Sequence, residues 1–226
     1  MVKELRVGAA SAQQLRTFSY PSGRALRVAV SGGIGAGKST VTRVLRERGA
    51  LIADADALAR EVTAPGSPVL AQLATDFGSG ILNDDGALNR AALAAHIFSN
   101  PAARHRLEVL THPAIIARAR EILASAHPDQ LAVYDVPLLV ETRGDREVDC
   151  VMIVSAPEEK RLEHLRGRGM SEADARARMH TQADDEARRA LAHIWIHNAG
   201  TREDLEKLVA ECADRWLVAP QAPASS

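Results

Sequence analysis

Aromatic residues make up only 3% of the 226 positions. That scarcity argues against a surface that stacks nucleobases, because single-strand binders rely on repeated aromatic platforms. A charge bias is missing as well. The 28 Lys and Arg are balanced by 29 Asp and Glu, so no global field advertises a polyanionic partner or an anionic membrane. No run approaches the roughly 18 consecutive apolar residues of a membrane span, and the first residues lack the continuous apolar segment of a secretory signal. The two cysteines, Cys150 and Cys212, are distant and have no metal-ligand spacing. They read as buried thiols of a reducing compartment, hence a cytoplasmic protein. These absences lead to expectations of no nucleic acid, no membrane and no obligate protein partner.

What is present starts at Gly32. Residues 32 to 40 read Gly-Gly-Ile-Gly-Ala-Gly-Lys-Ser-Thr and satisfy the phosphate-loop pattern G-x-x-x-x-G-K-[ST] with Gly32, Gly37, Lys38 and Ser39. Glycines let successive backbone N–H groups turn inward around phosphate oxygens where side chains would obstruct them. The pattern predicts an ATP site formed by Gly33, Ile34, Gly35, Ala36, Gly37, Lys38, Ser39 and Thr40, with Lys38 on the β/γ-phosphates and the Ser39 hydroxyl on Mg²⁺. Five short apolar runs read as strands: 26–30, 50–53, 131–135, 150–154 and 194–196. Helical patterns lie between them, which predicts an α/β fold with a five-stranded parallel sheet flanked by helices, of the P-loop NTPase type.

Two excursions interrupt that alternation. Between residues 54 and 130, apolar spacing supports helices over 88–98 and 102–123, a candidate acceptor-binding subdomain. Residues 157 to 190 hold two helical patterns joined by Arg166-Gly167-Arg168-Gly169 and carry Lys160, Arg161, Arg166, Arg168, Arg176, Arg178, Arg188 and Arg189. An equal number of acids balances them. They form either a solvated helical pair laced with salt bridges or a lid that closes arginines over ATP.

Asp54 and Asp56 follow the second strand with a spacing of two. Either can cap the helical pattern at 57–62; beside a phosphate loop, one suits proton abstraction from an attacking hydroxyl and the other Mg²⁺ or its waters. Asp135, at another strand end, suits either water-mediated Mg²⁺ binding or orientation of Lys38 or Arg60.

Several stretches together resemble the dephospho-coenzyme A kinase family: Ser31 to Thr40, Asp54-Ala55-Asp56 followed by Leu58 to Val62, Leu110-Thr111-His112-Pro113, Val136 to Glu141, Arg168-Gly169-Met170, Arg178 to Gln182, and Asn198-Ala199-Gly200. The resemblance implies transfer of the ATP γ-phosphate to the 3′-hydroxyl of dephospho-CoA, so ATP and dephospho-CoA are the expected partners and Mg²⁺ the cofactor. It implies catalytic roles for Asp56 as base, Lys38 and Arg168. Asp56, Arg60, His112, Pro137 and Leu138 would face the acceptor, Asn198 adenine, and Ser39 and Asp54 the metal. Another P-loop nucleoside or nucleotide kinase, or a regulatory P-loop NTPase, shares part of the pattern. Two departures stand out: His193 and His197 replace acids usual before that Asn, and Asn89 replaces an Asp. The expected organisation is a disordered extension over 1–25, a kinase domain over 26–218 and a disordered tail over 219–226. Within the domain, the core takes 26–81, 130–156 and 194–218, the acceptor subdomain 82–129 and the lid 157–193.

Overall fold

The computed structural model describes residues 3–98, 100–142 and 148–218; the tail expected over 219–226 lies outside them. Contacts divide the chain into two compact units, Met1–Ala53 with Ile122–Ser226, and Asp54–Glu121.

The first unit is built on a seven-stranded sheet in the order β1-β2-β7-β6-β3-β5-β4. The strands are β1 (Lys3–Val7), β2 (Ala10–Gln14), β3 (Leu26–Gly32), β4 (Leu51–Asp54), β5 (Leu131–Asp135), β6 (Cys150–Ser155) and β7 (Ile194–His197). Parallel pairing joins β3 to β5, β3 to β6 and β6 to β7. The runs that are apolar throughout are buried on both faces, as crossover helices require: all six residues of β6 are buried.

The sheet departs from the expected five strands at one edge. Residues 3–14 form a hairpin, and β2 pairs antiparallel with β7 from Ser11 opposite His197 to Gln14 opposite Ile194. The expectation of a disordered extension over 1–25 is therefore corrected. Leu5, Ala10 and Ala12 are buried within the cluster that holds Leu205, Leu208 and Val209. The Tyr20 hydroxyl donates to the Trp216 carbonyl at 2.7 Å. The hairpin covers an edge strand that would otherwise present unpaired backbone groups.

Three helices of the first unit take their places from the sheet: α1 (Lys38–Glu47) after β3, the short α6 (Leu139–Thr142) after β5, and α10 (Arg202–Trp216) after β7. A capping box of Thr201 and Asp204 starts α10. The segment expected as a lid, residues 157–193, supplies α7 (Glu158–Arg166), α8 (Glu172–His180) and α9 (Asp185–Leu191), and Ser171 caps α8 by accepting from the Asp174 N–H. Cys150 and Cys212 are free and buried. Burial raises both thiols, Cys212 to about 12 and Cys150 further, so neither is a nucleophile at neutral pH.

The second unit contains α2 (Ala55–Val62), α3 (Pro68–Phe77), α4 (Arg90–Phe98) and most of α5 (Pro101–Ala124). It begins at residue 54 rather than 82. The reason is its own small core, in which Leu73, Ile81 and Leu93 pack with Val69, Phe77, Leu107 and Leu110, so α3 is bound to α4 and α5. Ser67 caps α3 with proline at its first turn. Asn89 caps α4 by accepting from Ala92 N at 3.0 Å, the duty its replacement of Asp required.

Candidate functional site

The glycines of residues 32–37 are demanded by their surroundings. Gly37 is the N-cap of α1 at φ +107° and offers no side chain to the helix. A Cβ there would meet Asn198 Nδ2 at 2.7 Å, and one on Gly32 would meet the Val154 carbonyl oxygen at 2.3 Å. The first N–H groups of α1 consequently have no side-chain cap and are directed where an anion is favoured.

Lys38 opens α1, and its ammonium is ion-paired with Asp135 Oδ1. Asp135 is only 7% exposed at the end of β5, so the Lys38 ammonium compensates a carboxylate charge that burial alone would penalise. Orientation of Lys38 is thus the observed duty of Asp135. Ser39 and Thr40 follow in the first turn, and no hydrogen bond engages the Ser39 hydroxyl among the described residues.

Asn198 is 2% exposed. Its Nδ2 donates to the Ala36 carbonyl at 2.9 Å and its Oδ1 accepts from Lys160 Nζ at 3.1 Å, while Lys160 also bonds the Gly200 carbonyl. The side chain expected on adenine is therefore engaged in holding the phosphate loop. A pocket of about 190 Å³ brings Gly37, Ser39, Thr40, Arg168 and Asn198 together with Lys160, His164 and Arg202. Arg168 reaches it as an exposed residue in the turn after α7, held by bonds of Arg168 N and Met170 N to the Leu165 carbonyl.

Residues 157–193, expected as a lid, pack against the loop. Ile34 packs against Leu162, Leu165 and Ala175, Arg161 Nε donates to the Ile34 carbonyl at 2.8 Å, and Ile34 N donates to Gln182 Oε1 at 2.8 Å. A Cβ on Gly33 would lie 2.8 Å from Arg161 Nη2 and 3.2 Å from Arg188 Nη1, so two guanidinium groups converge on that glycine. Arg188 is 5% exposed and pairs with Asp185 at 3.1 Å. Arg161 Nη2 is buried without a hydrogen-bond partner. Desolvation, with Arg188 adding to it, holds the Arg161 guanidinium below its usual range. Converging cations with an unsatisfied donor suit an anion. Charge patterning does not single out Arg161 and Arg188, because eight neighbouring acids mask them.

In the second unit, the carboxylate pair divides its duties. Asp54 is the N-cap of α2, its Oδ1 accepting from Asp56 N at 2.9 Å and Ala57 N at 3.0 Å. Asp56 lies exposed in the first turn, and no hydrogen bond or ion pair engages its carboxylate among the described residues. Arg60 is exposed in the last turn of the same helix. His112 is partly buried within α5, one residue before Pro113. Pro137 and Leu138 belong to the first unit, where Ser31 Oγ donates to the Pro137 carbonyl at 3.3 Å. Among the described residues no group of three or more His, Cys, Asp or Glu forms a metal cluster. His193 and His197 are held structurally: His193 Nδ1 accepts from Val151 N at 3.1 Å, and His197 Nδ1 lies 3.3 Å from Ser155 Oγ.

Known proteins resemble this chain in sequence and fold. The model of the family described as dephospho-CoA kinase matches residues 26–204. The dephospho-CoA kinase of Frankia casuarinae is 44% identical over 199 residues, 88% of this chain and 87% of its own. That of Thermobifida fusca is 44% identical over 187 residues, 82% of this chain and 94% of its own. Among solved structures, TT1252 from Thermus thermophilus superposes with a TM-score of 0.71 at 33% identity, covering 85% of this chain and 98% of that one. With the family model matched over residues 26–204 and relatives 44% identical over most of the chain, the chain belongs to the dephospho-CoA kinase family.

Proposed function

We propose that the chain transfers the γ-phosphoryl group of ATP to the 3′-hydroxyl of dephospho-CoA, giving CoA and ADP. The observation that carries this reading is the family match over residues 26–204, which includes a glycine-capped loop beside Lys38 and two converging arginines. Phosphoryl transfer needs positioning and electrostatic stabilisation more than covalent chemistry. Lys38, released from Asp135 by the stronger charge of the triphosphate, binds the β/γ-phosphates, while Arg161, Arg188 and Arg168 stabilise charge on the transferring group.

Asp56 accepts the proton of the 3′-hydroxyl. With the cap of α2 supplied by Asp54, the Asp56 carboxylate is free for this step. Arg60, His112, Pro137 and Leu138 bind the acceptor. The unengaged Ser39 hydroxyl is a hard donor that fits Mg²⁺; when bound, the ion would neutralise charge on the phosphate oxygens. Cytoplasmic residence fits an enzyme of this chemistry, and no helix among the described residues is long and apolar enough to cross a membrane.

The test is ADP release with ATP, Mg²⁺ and dephospho-CoA, with adenosine and AMP as competing acceptors. Release must depend on dephospho-CoA, and equal use of adenosine or AMP would reassign the acceptor. Asp56→Asn keeps the shape but cannot take the proton. Single-turnover transfer should fall by roughly a hundredfold to ten-thousandfold with ATP binding unchanged, and a wild-type rate would remove Asp56 from the chemistry.

A further inference from the structure

The hairpin β1–β2 precedes the residues that the family model matches, 26–204, yet its contacts lead toward the phosphate loop. The connection runs through Arg16. Its Nη2 donates to the Ala190 carbonyl at 2.7 Å and its Nε to the Ala192 carbonyl at 3.1 Å. The backbone N–H groups of Leu15 and Arg16 both donate to the His193 carbonyl, at 2.8 and 3.3 Å. Three carbonyls at the point where the chain leaves α9 and starts β7 are thereby held by two residues. The last carbonyls of a helix lack intrahelical donors and favour a cation beside them, so Arg16 satisfies both requirements.

One turn earlier on the same helix, Arg188 faces inward. It bonds Asp185 at 3.1 Å and Gln182 Oε1 at 3.4 Å, and that same Gln182 oxygen accepts the Ile34 N–H of the phosphate loop. Its Nη1 lies beside Gly33. Between these contacts Arg189 bonds Gln13 Oε1 of the hairpin at 2.9 Å and lies over the Trp195 ring, 5.2 Å from its centroid. Thus residues 188 and 189 of one short helix are held by the loop on one side and the hairpin on the other. A guanidinium bonded to two carbonyls fixes both distance and angle, which a flexible contact would not.

We infer that the hairpin, through Arg16 as a positioning residue, holds α9 so that Arg188 stays against the phosphate loop, and thereby sets the affinity for ATP. This rests only on reading the loop as the triphosphate site. It does not depend on which acceptor is used.

The experiment compares the full chain with Arg16→Ala, Arg16→Lys, Arg188→Ala and the double variant Arg16→Ala/Arg188→Ala. ATP binding is titrated without acceptor well below each melting midpoint, alongside KM for ATP and for dephospho-CoA. Arg16→Ala should weaken ATP binding by about five- to tenfold, the worth of misplacing one charge-assisted contact, and raise the KM for ATP while the acceptor KM stays unchanged. Arg16→Lys should recover part of the loss, because one ammonium reaches one of the two carbonyls. The double variant should bind ATP no more weakly than Arg188→Ala alone, since Arg16 acts through Arg188. Unchanged ATP affinity in Arg16→Ala, or additive losses in the double variant, overturns the inference. Failure to phosphorylate dephospho-CoA with this ATP pattern intact would count against the acceptor reading instead.

Discussion

The phosphate loop and the N-terminal hairpin sit in the same compact unit and rely on opposite kinds of residue. The loop uses residues that no other type can replace at their positions: glycine at φ +107° and +78°, and lysine beside a buried carboxylate. The hairpin uses Ala10-Ser11-Ala12-Gln13-Gln14, residues that any strand tolerates, and gains its order from the edge of β7 and the face of α10. A phosphate demands particular chemistry at fixed spacing, whereas an open sheet edge accepts any chain that can pair with it. Substitutions in the loop should therefore damage turnover more than folding, and changes in the hairpin should do the reverse except where Arg16 reaches α9.

The largest effect belongs to Lys38. Lys38→Ala removes a cation from the transferring phosphate, and turnover should fall by on the order of a hundredfold to a thousandfold. It also leaves Asp135 buried without a counter-ion, which costs stability. The double variant Lys38→Ala/Asp135→Asn separates the two consequences: its melting midpoint should recover toward wild type while turnover stays low. If turnover recovers along with the midpoint, the loss was one of folding and the contrast between loop and hairpin breaks.

Shortening the chain to begin at Gly23 should have the next largest effect, now on stability. It exposes the faces covered by Leu5, Ala10 and Ala12 and frees the edge of β7. For a chain of this size 1 kcal/mol corresponds to about 2–4 °C, and loss of a buried leucine plus a strand ladder should lower the midpoint by roughly 5 °C or more. A midpoint within a degree of the full chain would mean the hairpin is ornamental and would weaken the role given to Arg16.

Much of this contrast explains which parts were legible. The strands announced themselves as apolar runs at 26–30, 131–135 and 150–154, and the loop by its glycines and Lys38. The hairpin did not, because Ala10-Ser11-Ala12-Gln13-Gln14 lacks the β-branched and aromatic signature of strands and its pairing is fixed by a strand some 180 residues away. Asn198 was found by resemblance, but its engagement with the Ala36 carbonyl was invisible because it depends on the register of β7 against β6. Asp54 and Asp56 were legible as a pair and ambiguous as to roles. Only the start of α2 at Ala55 assigns the cap to Asp54.

The smallest effect concerns pH, and it sharpens the view of the hairpin as part of the folded core. His193 is half-buried beside Phe18 and Arg16, and burial first, then the Arg16 charge, lower its pKa from the ordinary histidine value. Its Nδ1 accepts the Val151 N–H, which only an unprotonated Nδ1 can do. In the unfolded chain the imidazole titrates near 6.5. Between that value and the lower folded one, the unfolded state binds more protons, so stability rises with pH. The contribution is fully present above about pH 6.5 and is lost as pH falls toward the folded pKa. His193→Gln cannot titrate, so its melting midpoint should decline less than wild type between pH 7.5 and 5.5, with the other titrating groups common to both. Arg16→Ala should flatten the wild-type slope in part, because it removes the cation that opposes protonation. Parallel slopes for wild type and His193→Gln would show that His193 stays solvated, and that the hairpin does not seal the junction between α9 and β7.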